Sequence, residues 1–317
     1  MNVLVTGGAG FIGSNLCEAL LSKENKVICI DNFNDYYNPK RKENNLASFK
    51  DNPNFTLHRI DITDMGALKN VFEEHDISAV IHLAARGGVR PSIKDPFVYE
   101  KVNINGTLNL LELSRQNNIK KFIFGSSSSV YGNNKKVPFS ETDPVDEPVS
   151  PYAFTKRAGE LLCKTYNHLY NMNIVCLRFF TVYGPRGRPD MAVYKFTDLI
   201  HNGKEIEVYG DGTSKRDYTY VSDIIKGIIS ALEKDINFEI INLGDSNPVE
   251  LNYLISLIEK NLGTKAKITH AGKQAGDVDR TFADISKANS ILGYTPSVKI
   301  EEGIKNFVEW FKSNSAE

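Results

Sequence analysis

The sequence has few of the features that mark a secreted, membrane-spanning or metal-binding protein. Only four of its 317 residues are cysteines, and none of the four belongs to a CxxC pair. This spacing favours buried thiols in a reducing compartment over a zinc site or a disulfide framework. No apolar run approaches the ~18 residues that a membrane helix needs, and the first strand is expected at Asn2 without a signal peptide. We therefore expect a cytoplasmic protein without a metal site.

The sequence also lacks an excess of acidic or basic residues. The chain has 38 basic and 39 acidic residues and a net charge of −1, which gives no general attraction to nucleic acid or to an anionic membrane. Any anionic ligand must then be held by local Arg or Lys side chains. The length and a hydrophobic content of 41% suffice for one large domain or two unequal ones.

The first half alternates short β-rich runs with amphipathic stretches. This alternation is typical of a Rossmann-type α/β fold, a doubly wound parallel sheet whose ligands bind at the carboxyl ends of the strands. The expected strands are residues 3–5, 27–30, 56–58, 79–83 and 121–124, and the expected helices lie near 11–22, 64–74 and 97–117. The polar segment 32–45 is expected to be a mobile loop.

The second half changes character after residue 185. A long helix near 151–171 and a strand at 174–178 complete the first pattern, and short strands (206–209, 218–221) then mix with helices near 191–202, 222–233, 250–262 and 300–313. We expect a Rossmann-type domain at 1–180. A smaller α/β lobe at 181–317 would bind the substrate, and the chain would cross between the lobes more than once.

A glycine-rich turn follows the first expected strand. Gly7, Gly10 and Gly13 form a GxxGxxG pattern that permits a tight turn and close approach of a pyrophosphate to a helix N-terminus. Asp31, 18 residues after Gly13, ends the second strand, where a carboxylate accepts the ribose hydroxyls of NAD and repels the 2′-phosphate of NADP. Lys40 and Arg41, in the next loop, leave NADP open. Further cofactor contacts are expected at Asp61, Ile62, Leu83, Ala84 and Ala85.

A Tyr and a Lys lie one helical turn apart, at Tyr152 and Lys156, and a run of four serines at 126–129 precedes them. A free phenol is a poor base at neutral pH, but a nearby ammonium and a positively charged nicotinamide favour its ionised form. Tyr152 is then able to take a proton from a sugar hydroxyl while hydride leaves the same carbon. A serine of the run would relay or orient that proton.

Together, these motifs resemble the extended short-chain dehydrogenase/reductase family, in its nucleotide-sugar branch. The resemblance covers nearly the whole chain, through TGGAGFIG, HLAA, SSSSVYG, YAFTK, RFFTVYGPRGRPD, GDGTSKRDYTYVSD and GDVDRTFADISKA. It implies NAD as cofactor, a UDP-, dTDP- or GDP-sugar as substrate, and a homodimer formed through helices 97–117 and 151–171. The catalytic residues that it implies are Ser127, Tyr152 and Lys156. It adds Phe11, Ile12, Asn32 and Asn103 to the cofactor contacts. The implied substrate contacts are Arg90, Ser128, Ser129, Thr181, Arg188, Val208, Tyr209, Arg216 and Arg280. For Arg216, a salt bridge to Asp217 or Asp223 is the structural alternative.

Within this branch the chain looks most like UDP-glucuronate 4-epimerases, which are isomerases. Sugar 4,6-dehydratases carry an Asp-Glu pair where this chain has Ser128 and Ser129, and UDP-glucuronate decarboxylases usually have Glu at the second position. Galactose-type 4-epimerases usually have Asn in place of Thr181 and Arg in place of Gln274. We interpret the three hydroxyls as a neutral grip on the substrate carboxylate, although they are also able to satisfy backbone groups in a turn.

Several alternatives stay open at the sequence level. These are an epimerase of UDP-glucose or UDP-N-acetylglucosamine, a UDP-glucuronate decarboxylase, and a non-catalytic NAD-binding regulator. The intact set of Ser127, Tyr152 and Lys156 argues against the regulator. Arg86 departs from the neutral residue expected after the HLAA turn, so the fine specificity depends on where its charge lies.

Overall fold

A computed structural model describes residues 1–272 and 280–314. Its main feature is a seven-stranded sheet in the order β10-β6-β5-β4-β1-β2-β3, with every neighbouring pair parallel. The strands of the described chain are β1 (Asn2–Thr6), β2 (Lys26–Ile30), β3 (Phe55–His58), β4 (Ala79–His82), β5 (Lys121–Ser127), β6 (Asn173–Phe179), β7 (Thr181–Tyr183), β8 (Glu205–Tyr209), β9 (Lys215–Tyr220), β10 (Phe238–Leu243), β11 (Pro248–Glu250) and β12 (Lys267–Ala271). The predicted Rossmann-type α/β fold is confirmed.

Helices cover both faces of this sheet. The helices are α1 (Phe11–Ser22), α2 (Lys40–Leu46), α3 (Met65–Glu74), α4 (Val89–Lys94), α5 (Pro96–Glu100), α6 (Gly106–Gln116), α7 (Pro151–Tyr170), α8 (Ala192–His201), α9 (Val221–Glu233), α10 (Leu251–Leu262), α11 (Ser286–Leu292) and α12 (Ile300–Asn314). A π-helical turn, Lys101–Asn105, joins α5 to α6, and a 3₁₀ turn, Ser128–Tyr131, follows β5.

Successive residues of the central strand point to opposite faces, and each face has its own apolar core. Val3 and Val5 pack on one side with residues of α1 and α9, whereas Leu4 packs on the other side with residues of α3, α6 and α7. A strand buried on both faces needs a continuous apolar run, which is why the sequence reads Val-Leu-Val here.

The order of the strands reverses beside β1, which lies between β2 and β4. Helices that follow β1 and β4 then leave on opposite faces, so a crevice opens at the carboxyl ends of the two strands. Thr6 and His82, the last residues of these strands, pair there. This crevice is the expected place for a ligand.

The smaller lobe has a three-stranded sheet, β11-β9-β7, and a two-stranded sheet, β12-β8. Its core is built from the apolar faces of α8, α10 and α12. Helix α9 and strand β10 return to the larger sheet, where β10 pairs with β6. The domain boundary at residue 180 stays a prediction.

The structure differs from the sequence expectation in several local features. The segment expected as a loop at 32–45 contains α2, and the helix expected at 97–117 is divided by the π-helical turn. Strands β10, β11 and β12 were not expected. β12 has mostly exposed side chains and lacks the apolar pattern by which strands are recognised.

Among the described residues, no helix is both long enough and apolar enough to cross a membrane.

A buried carboxylate ties the two lobes together. Asp217, which is 0% exposed, accepts hydrogen bonds from the backbone N–H groups of Asp245 (2.7 Å), Ser246 (3.0 Å) and Ala283 (3.0 Å). Burial and the charges of Asp217 and Asp223 raise the pKa of the neighbouring Asp245 from 3.8 to about 7. Keeping Asp245 ionised therefore lowers stability at neutral pH.

We predict that Asp245→Asn raises the Tm at pH 8. An acid with a raised pKa in the folded state costs stability progressively as the pH rises from 3.8 to about 7, and the full cost persists above that. The gain in Tm should therefore shrink as the pH is lowered from 7 towards 4. Differential scanning fluorimetry across this range, with the exposed Asp51→Asn as control, measures it. A gain that is the same at every pH would contradict the prediction.

Candidate functional site

A cleft of about 540 Å³ lies at the carboxyl ends of the parallel strands and extends towards the smaller lobe. It joins the glycine turn at one end to Thr181 and Arg188 at the other. The predicted site residues that line it are Gly7, Gly10, Phe11, Ile12, Asp31, Asn32, Asp61, Ile62, Leu83, Ala84, Ala85, Ser127, Ser128, Ser129, Tyr152, Lys156, Thr181 and Arg188. The structure thus brings most of the predicted cofactor and catalytic residues into one continuous space.

The glycine turn leaves the backbone open to this cleft. Gly7 has a φ of +70°, and a Cβ there would lie 2.8 Å from the backbone nitrogen of Ala84. A Cβ on Gly13 would collide with the carbonyl oxygen of Gly7. Helix α1 begins directly after Gly10, which provides no side-chain cap, so the first N–H groups of the helix are available to a phosphate. These features fit the pyrophosphate of a dinucleotide.

Asp31 is held at the end of β2 by three donors. Its carboxylate accepts from the backbone N–H groups of Ala9 (3.2 Å) and Phe33 (2.9 Å) and from Lys42 Nζ (3.0 Å). The side chains of Asp31 and Lys42 are only 5% and 7% exposed. The sequence reasoning considered Lys40 and Arg41 but missed Lys42, because the helical turn of α2 that directs it to Asp31 was expected to be a loop.

We predict that Asp31→Asn shifts the cofactor preference from NAD towards NADP by about 10- to 100-fold, the worth of one hydrogen bond to a charged group. The substitution removes the repulsion of a 2′-phosphate and leaves the ammonium of Lys42 beside it. The ratio of the two dissociation constants, measured by cofactor fluorescence, checks this. Adding Lys42→Met to Asp31→Asn should reverse the gain for NADP, and an unchanged ratio in both variants would refute the assignment.

The part of the cleft beside Asp61 is polar. Asp61 accepts from Asn32 Nδ2 (2.7 Å) and from the backbone N–H and hydroxyl of Thr63 (both 2.8 Å). Burial raises the pKa of Asp61, but these hydrogen bonds outweigh it and hold the pKa below its usual value. Asn103 lies behind the cleft, where its side-chain amide accepts from the Arg86 N–H (2.8 Å), donates to the Arg86 carbonyl (3.0 Å) and fixes that loop. Asn103 therefore reaches a cofactor only through the loop that it positions.

Tyr152 and Lys156 lie on the first turns of α7, which Ser150 caps through a hydrogen bond from the Ala153 N–H. Lys156 Nζ donates to the carbonyl of Gly125 (2.6 Å), and burial lowers its pKa from 10.5 to about 8. Burial raises the pKa of Tyr152, while a hydrogen bond with Ser127 and the charge of Arg188 act in the opposite direction. The phenol is thus influenced by the hydroxyl of Ser127 and by the positive charge of Arg188.

Ser127 is the last residue of β5, and the 3₁₀ turn begins beyond it. Its Oγ accepts from the backbone N–H of Ser129 (3.1 Å) and donates to the hydroxyl of Ser129 (3.1 Å). Ser127 therefore satisfies a backbone N–H group of the turn and also lies beside Tyr152. Ser128, Ser129 and Thr181 all line the cleft, so their hydroxyls adjoin the same space as the phenol.

Arg188 lines the cleft, as Tyr152 does. Its Nη2 donates to Asp190 (2.6 Å), and its guanidinium lies 5.3 Å from the centre of the Tyr36 ring. Two tyrosines that the sequence did not predict support the loop beside Arg188. Tyr36 and Tyr99 both donate to the carbonyl of Gly87, at 2.8 and 2.6 Å. Arg86, the residue noted as unusual, also lines the cleft and lies 5.6 Å from the Tyr36 ring centre.

The remaining predicted substrate residues lie outside the lining of this cleft. Arg90 stacks over the ring of Tyr209 at 4.6 Å, which joins α4 to the smaller lobe. Val208 is fully buried in the core of that lobe, so its side chain does not face a ligand. The backbone of Lys215 pairs with Arg280, whose guanidinium lies 5.2 Å from the ring centre of Phe282.

Arg216 lies on β9 and donates to the carbonyl of Lys215 (3.1 Å). The alternative partners are engaged elsewhere, since Asp217 binds backbone N–H groups and Asp223 binds Lys226 (2.9 Å). Within the described chain, a salt bridge from Arg216 to either carboxylate is not found. Gln274 lies outside the described residues.

Several known proteins are similar to this chain in sequence and in structure. Residues 4–307 match the protein family described as GDP-mannose 4,6 dehydratase. A UDP-glucuronate 4-epimerase of Thermodesulfobacterium geofontis is 48% identical over 312 residues, which cover 98% of this chain and 96% of that protein. A crystal structure of the UDP-glucuronic acid 4-epimerase from Bacillus cereus, in complex with UDP-glucuronic acid and NAD, has a TM-score of 0.93 at 40% identity and 99% coverage of both chains. The UDP-glucose 4-epimerase of Thermotoga maritima, with UDP-glucose, has a TM-score of 0.92 at 35% identity and full coverage of both chains.

Proposed function

We propose that this chain, which belongs to the GDP-mannose 4,6 dehydratase family within the extended short-chain dehydrogenases/reductases, is an NAD-dependent 4-epimerase that interconverts UDP-glucuronate and UDP-galacturonate. The fold, the cofactor and the class of reaction predicted from the motifs are confirmed by its relatives. The observation that carries the assignment is the set of hydroxyls, Ser128, Ser129 and Thr181, in the cleft that Tyr152 also lines. A dehydratase or a decarboxylase of this branch is expected to carry acidic side chains at the serine positions.

The reaction is redox-neutral overall. Bound NAD supplies a hydride acceptor in the first half of the cycle and a hydride donor in the second. Tyr152 removes the proton of the sugar O4 as C4 is oxidised to a ketone, and it returns that proton after the sugar has presented its opposite face. One phenol thus acts as base and then as acid, and the products differ from the substrates only in configuration at C4.

The neighbours of Tyr152 make this proton transfer possible at neutral pH. Ser127 bonds to the phenol, and the positive charge of Arg188 favours its ionised form against the effect of burial. Lys156, whose Nζ donates to the Gly125 carbonyl, adds a second positive charge one helical turn from Tyr152. We assign to Ser127 the role of orienting the proton and to Lys156 and Arg188 that of stabilising the negative oxygen.

The sugar must turn within the site while the nucleotide stays bound. We assign the binding of UDP to the smaller lobe, through Arg216, Arg280 and the segment at Tyr209. Arg90, stacked on Tyr209, connects this lobe to the turn after β4. A nucleotide held at this end leaves the catalytic end of the cleft free for the rotation of the sugar.

With glucuronate as substrate, the oxidised intermediate is able to lose CO₂, and the three hydroxyls counter this side reaction. Oxidation at C4 creates a β-keto acid, which loses CO₂ when the C5–C6 bond aligns with the carbonyl group. Short hydroxyl donors from Ser128, Ser129 and Thr181 are able to fix the carboxylate in a different orientation without adding charge. A carboxylate in place of Ser129 has no proton to donate and would repel the substrate carboxylate from this orientation.

Removing one of these hydroxyls should lower the activity on the acidic substrate and leave the activity on neutral substrates unchanged. For Thr181→Val we predict that kcat/KM for UDP-glucuronate falls about 10- to 100-fold, which is the worth of one hydrogen bond to a charged group. Turnover of UDP-glucose should not fall, and the share of UDP-pentose among the products should rise. Thr142→Val, on the surface, is the matched control. Equal losses on both substrates would place Thr181 outside the carboxylate site.

A 4-epimerase of neutral UDP-sugars is the second candidate. The observation that favours it is the similarity of the whole fold to the UDP-glucose 4-epimerase of T. maritima, which covers both chains fully. In that reading the three hydroxyls bind a neutral C6 group. Parallel measurements of kcat/KM with UDP-glucuronate, UDP-glucose and UDP-N-acetylglucosamine decide between the two candidates.

We further propose a cytoplasmic homodimer. Helices α4, α5 and α7 expose large apolar side chains, namely Ile93 (52%), Phe97 (82%), Phe154 (52%), Leu161 (52%) and Leu169 (60%). Apolar side chains at this density on neighbouring helices are typical of an interface between subunits. Light scattering of the wild type and of Leu161→Lys tests it, and a monomeric wild type would refute the dimer. The four free, buried thiols support a reducing compartment.

A further inference from the structure

The outer edge of the large sheet carries a pair of histidines that the proposed reaction does not use. His58 is the last residue of β3, the edge strand, and His75 directly follows α3. Their Nε2 atoms lie 2.8 Å apart, and the two rings meet edge to face, with centroids 5.0 Å apart. Glu74 Oε1 lies 3.9 Å from His75 Nε2, and the three side chains offer ligand atoms that all lie within 4.8 Å of one another.

We propose that His58, His75 and Glu74 form a binding site for a divalent transition metal ion of the zinc type. Zinc binds imidazole nitrogen and carboxylate oxygen at about 2.0–2.2 Å, so two of its ligands in a tetrahedral site lie roughly 3.4 Å apart. The separations here bracket that value, and small side-chain rotations place an ion among the three atoms. Water completes the fourth position, as expected for a three-ligand site on the surface.

The protonation state of the site suits a metal. A hydrogen bond between two imidazole nitrogens needs one ring to accept, so at least one of the two rings is neutral. Glu74 supplies the negative charge that an ion requires, and its exposed side chain is free to rotate towards it.

Backbone hydrogen bonds connect the two histidines to Asp31 and to helix α3. The carbonyl of His58 accepts from the backbone N–H of Asp31 (3.2 Å), the residue proposed to bind the ribose of the cofactor. The N–H of His75 bonds to Val71 within α3 (3.2 Å). An ion on both histidines therefore joins the edge strand to α3 one hydrogen bond away from Asp31, and it should stabilise the folded chain by mass action.

The test uses tag-free protein that has been stripped with chelator and then titrated with Zn²⁺ against a chromophoric competitor. We expect one ion per chain and a higher Tm when it is bound. His58→Gln and His75→Gln should each weaken binding by about 100-fold, since each removes a nitrogen ligand. Glu74→Gln should weaken it by about 10-fold, and because Glu74 is exposed at a helix end, this variant retains the fold. His168→Gln, at an exposed histidine of α7, is the matched control.

Substitution with Co²⁺ adds a direct readout of coordination. A tetrahedral cobalt site has visible absorption bands, and these should appear in the wild type and in His168→Gln but not in His58→Gln. The proposal is overturned if the wild type binds no stoichiometric ion, or if His58→Gln and Glu74→Gln bind it as tightly as the wild type. In that case the two histidines serve only as a hydrogen-bonded pair at the sheet edge. Neither outcome depends on the identity of the sugar substrate.

Discussion

Tyr152→Phe is expected to lower kcat by about 10²–10⁴-fold, the usual contribution of a positioned acid–base group, while NAD stays bound. The substitution removes one oxygen atom and keeps the ring, which packs edge to face on Tyr99 with centroids 6.2 Å apart. Without the phenol, the sugar O4 has no base aligned with it. Turnover is measured by the rate at which the epimeric UDP-sugar accumulates, and retained cofactor by its absorbance after denaturation.

The matched control is Tyr170→Phe, at the other end of the same helix. It removes the same oxygen atom from a residue far from the cleft, and its kcat should equal that of the wild type. If Tyr152→Phe keeps more than a tenth of the wild-type kcat, another group removes the proton and the assignment of Tyr152 as the base is wrong. Loss of NAD from this variant would instead mean that the hydroxyl of Tyr152 helps to hold the cofactor.

Glu160→Gln is expected to lower the free energy of unfolding by about 3–5 kcal/mol, because it breaks a buried ion pair from one side. Glu160 lies one turn after Lys156 and is 1% exposed, as is its partner Arg178 on β6. The guanidinium donates from Nε to Oε1 (2.8 Å) and from Nη2 to Oε2 (2.9 Å), and Ser126 Oγ donates to Oε1 (2.6 Å). A neutral amide leaves the charge of Arg178 buried without a counterion.

Thermal unfolding measures this effect, and Glu73→Gln is the control. Glu73 pairs with Lys69 at 3.6 Å on the surface, where both side chains are more than 60% exposed, so its loss should cost less than about 1 kcal/mol. A double variant, Glu160→Gln with Arg178→Met, should be more stable than Glu160→Gln alone, because it removes the orphaned charge as well. If the double variant is less stable than both single variants, the ion pair contributes through packing and not through charge.

The sequence predicts the large lobe well because its strands are buried on both faces. Continuous apolar runs such as Val3 to Val5 are recognisable without any tertiary information, and the glycine turn identifies where the cofactor site begins. The smaller lobe is harder to predict because its short strands, such as β11 and β12, depend on neighbours far away in the chain. Their side chains alternate weakly or not at all between buried and exposed.

Within the site, the sequence identifies residues that belong to motifs and misses those that tertiary contacts bring in. Lys42 on α2 and Tyr36 in the segment before it line the cleft, and Tyr99 on α5 supports it through the Gly87 carbonyl. No local spacing relates these residues to Asp31 or Tyr152. Arg178 did give a usable signal, since a charge within a buried apolar strand requires a buried partner of opposite sign. The sequence does not indicate which residue this partner is, and in the structure it is Glu160.

The serine run at 126–129 also illustrates this difference. The family resemblance selects Ser127 as catalytic, and the structure gives it a second role as the cap of the 3₁₀ turn. Ser126 also lines the cleft, but its hydroxyl donates to the buried carboxylate of Glu160 (2.6 Å). Membership in a serine run therefore does not determine which face of the strand each hydroxyl reaches.

The central claim is that the chain epimerises UDP-glucuronate at C4 with NAD as its cofactor. Proton NMR of the purified protein with UDP-glucuronate, followed over time without and then with added NAD, tests it most directly. The account predicts that the anomeric signal of UDP-galacturonate appears and grows to a constant ratio with that of the substrate. An unchanged spectrum in the presence of NAD, or a UDP-pentose as the sole product, would contradict it.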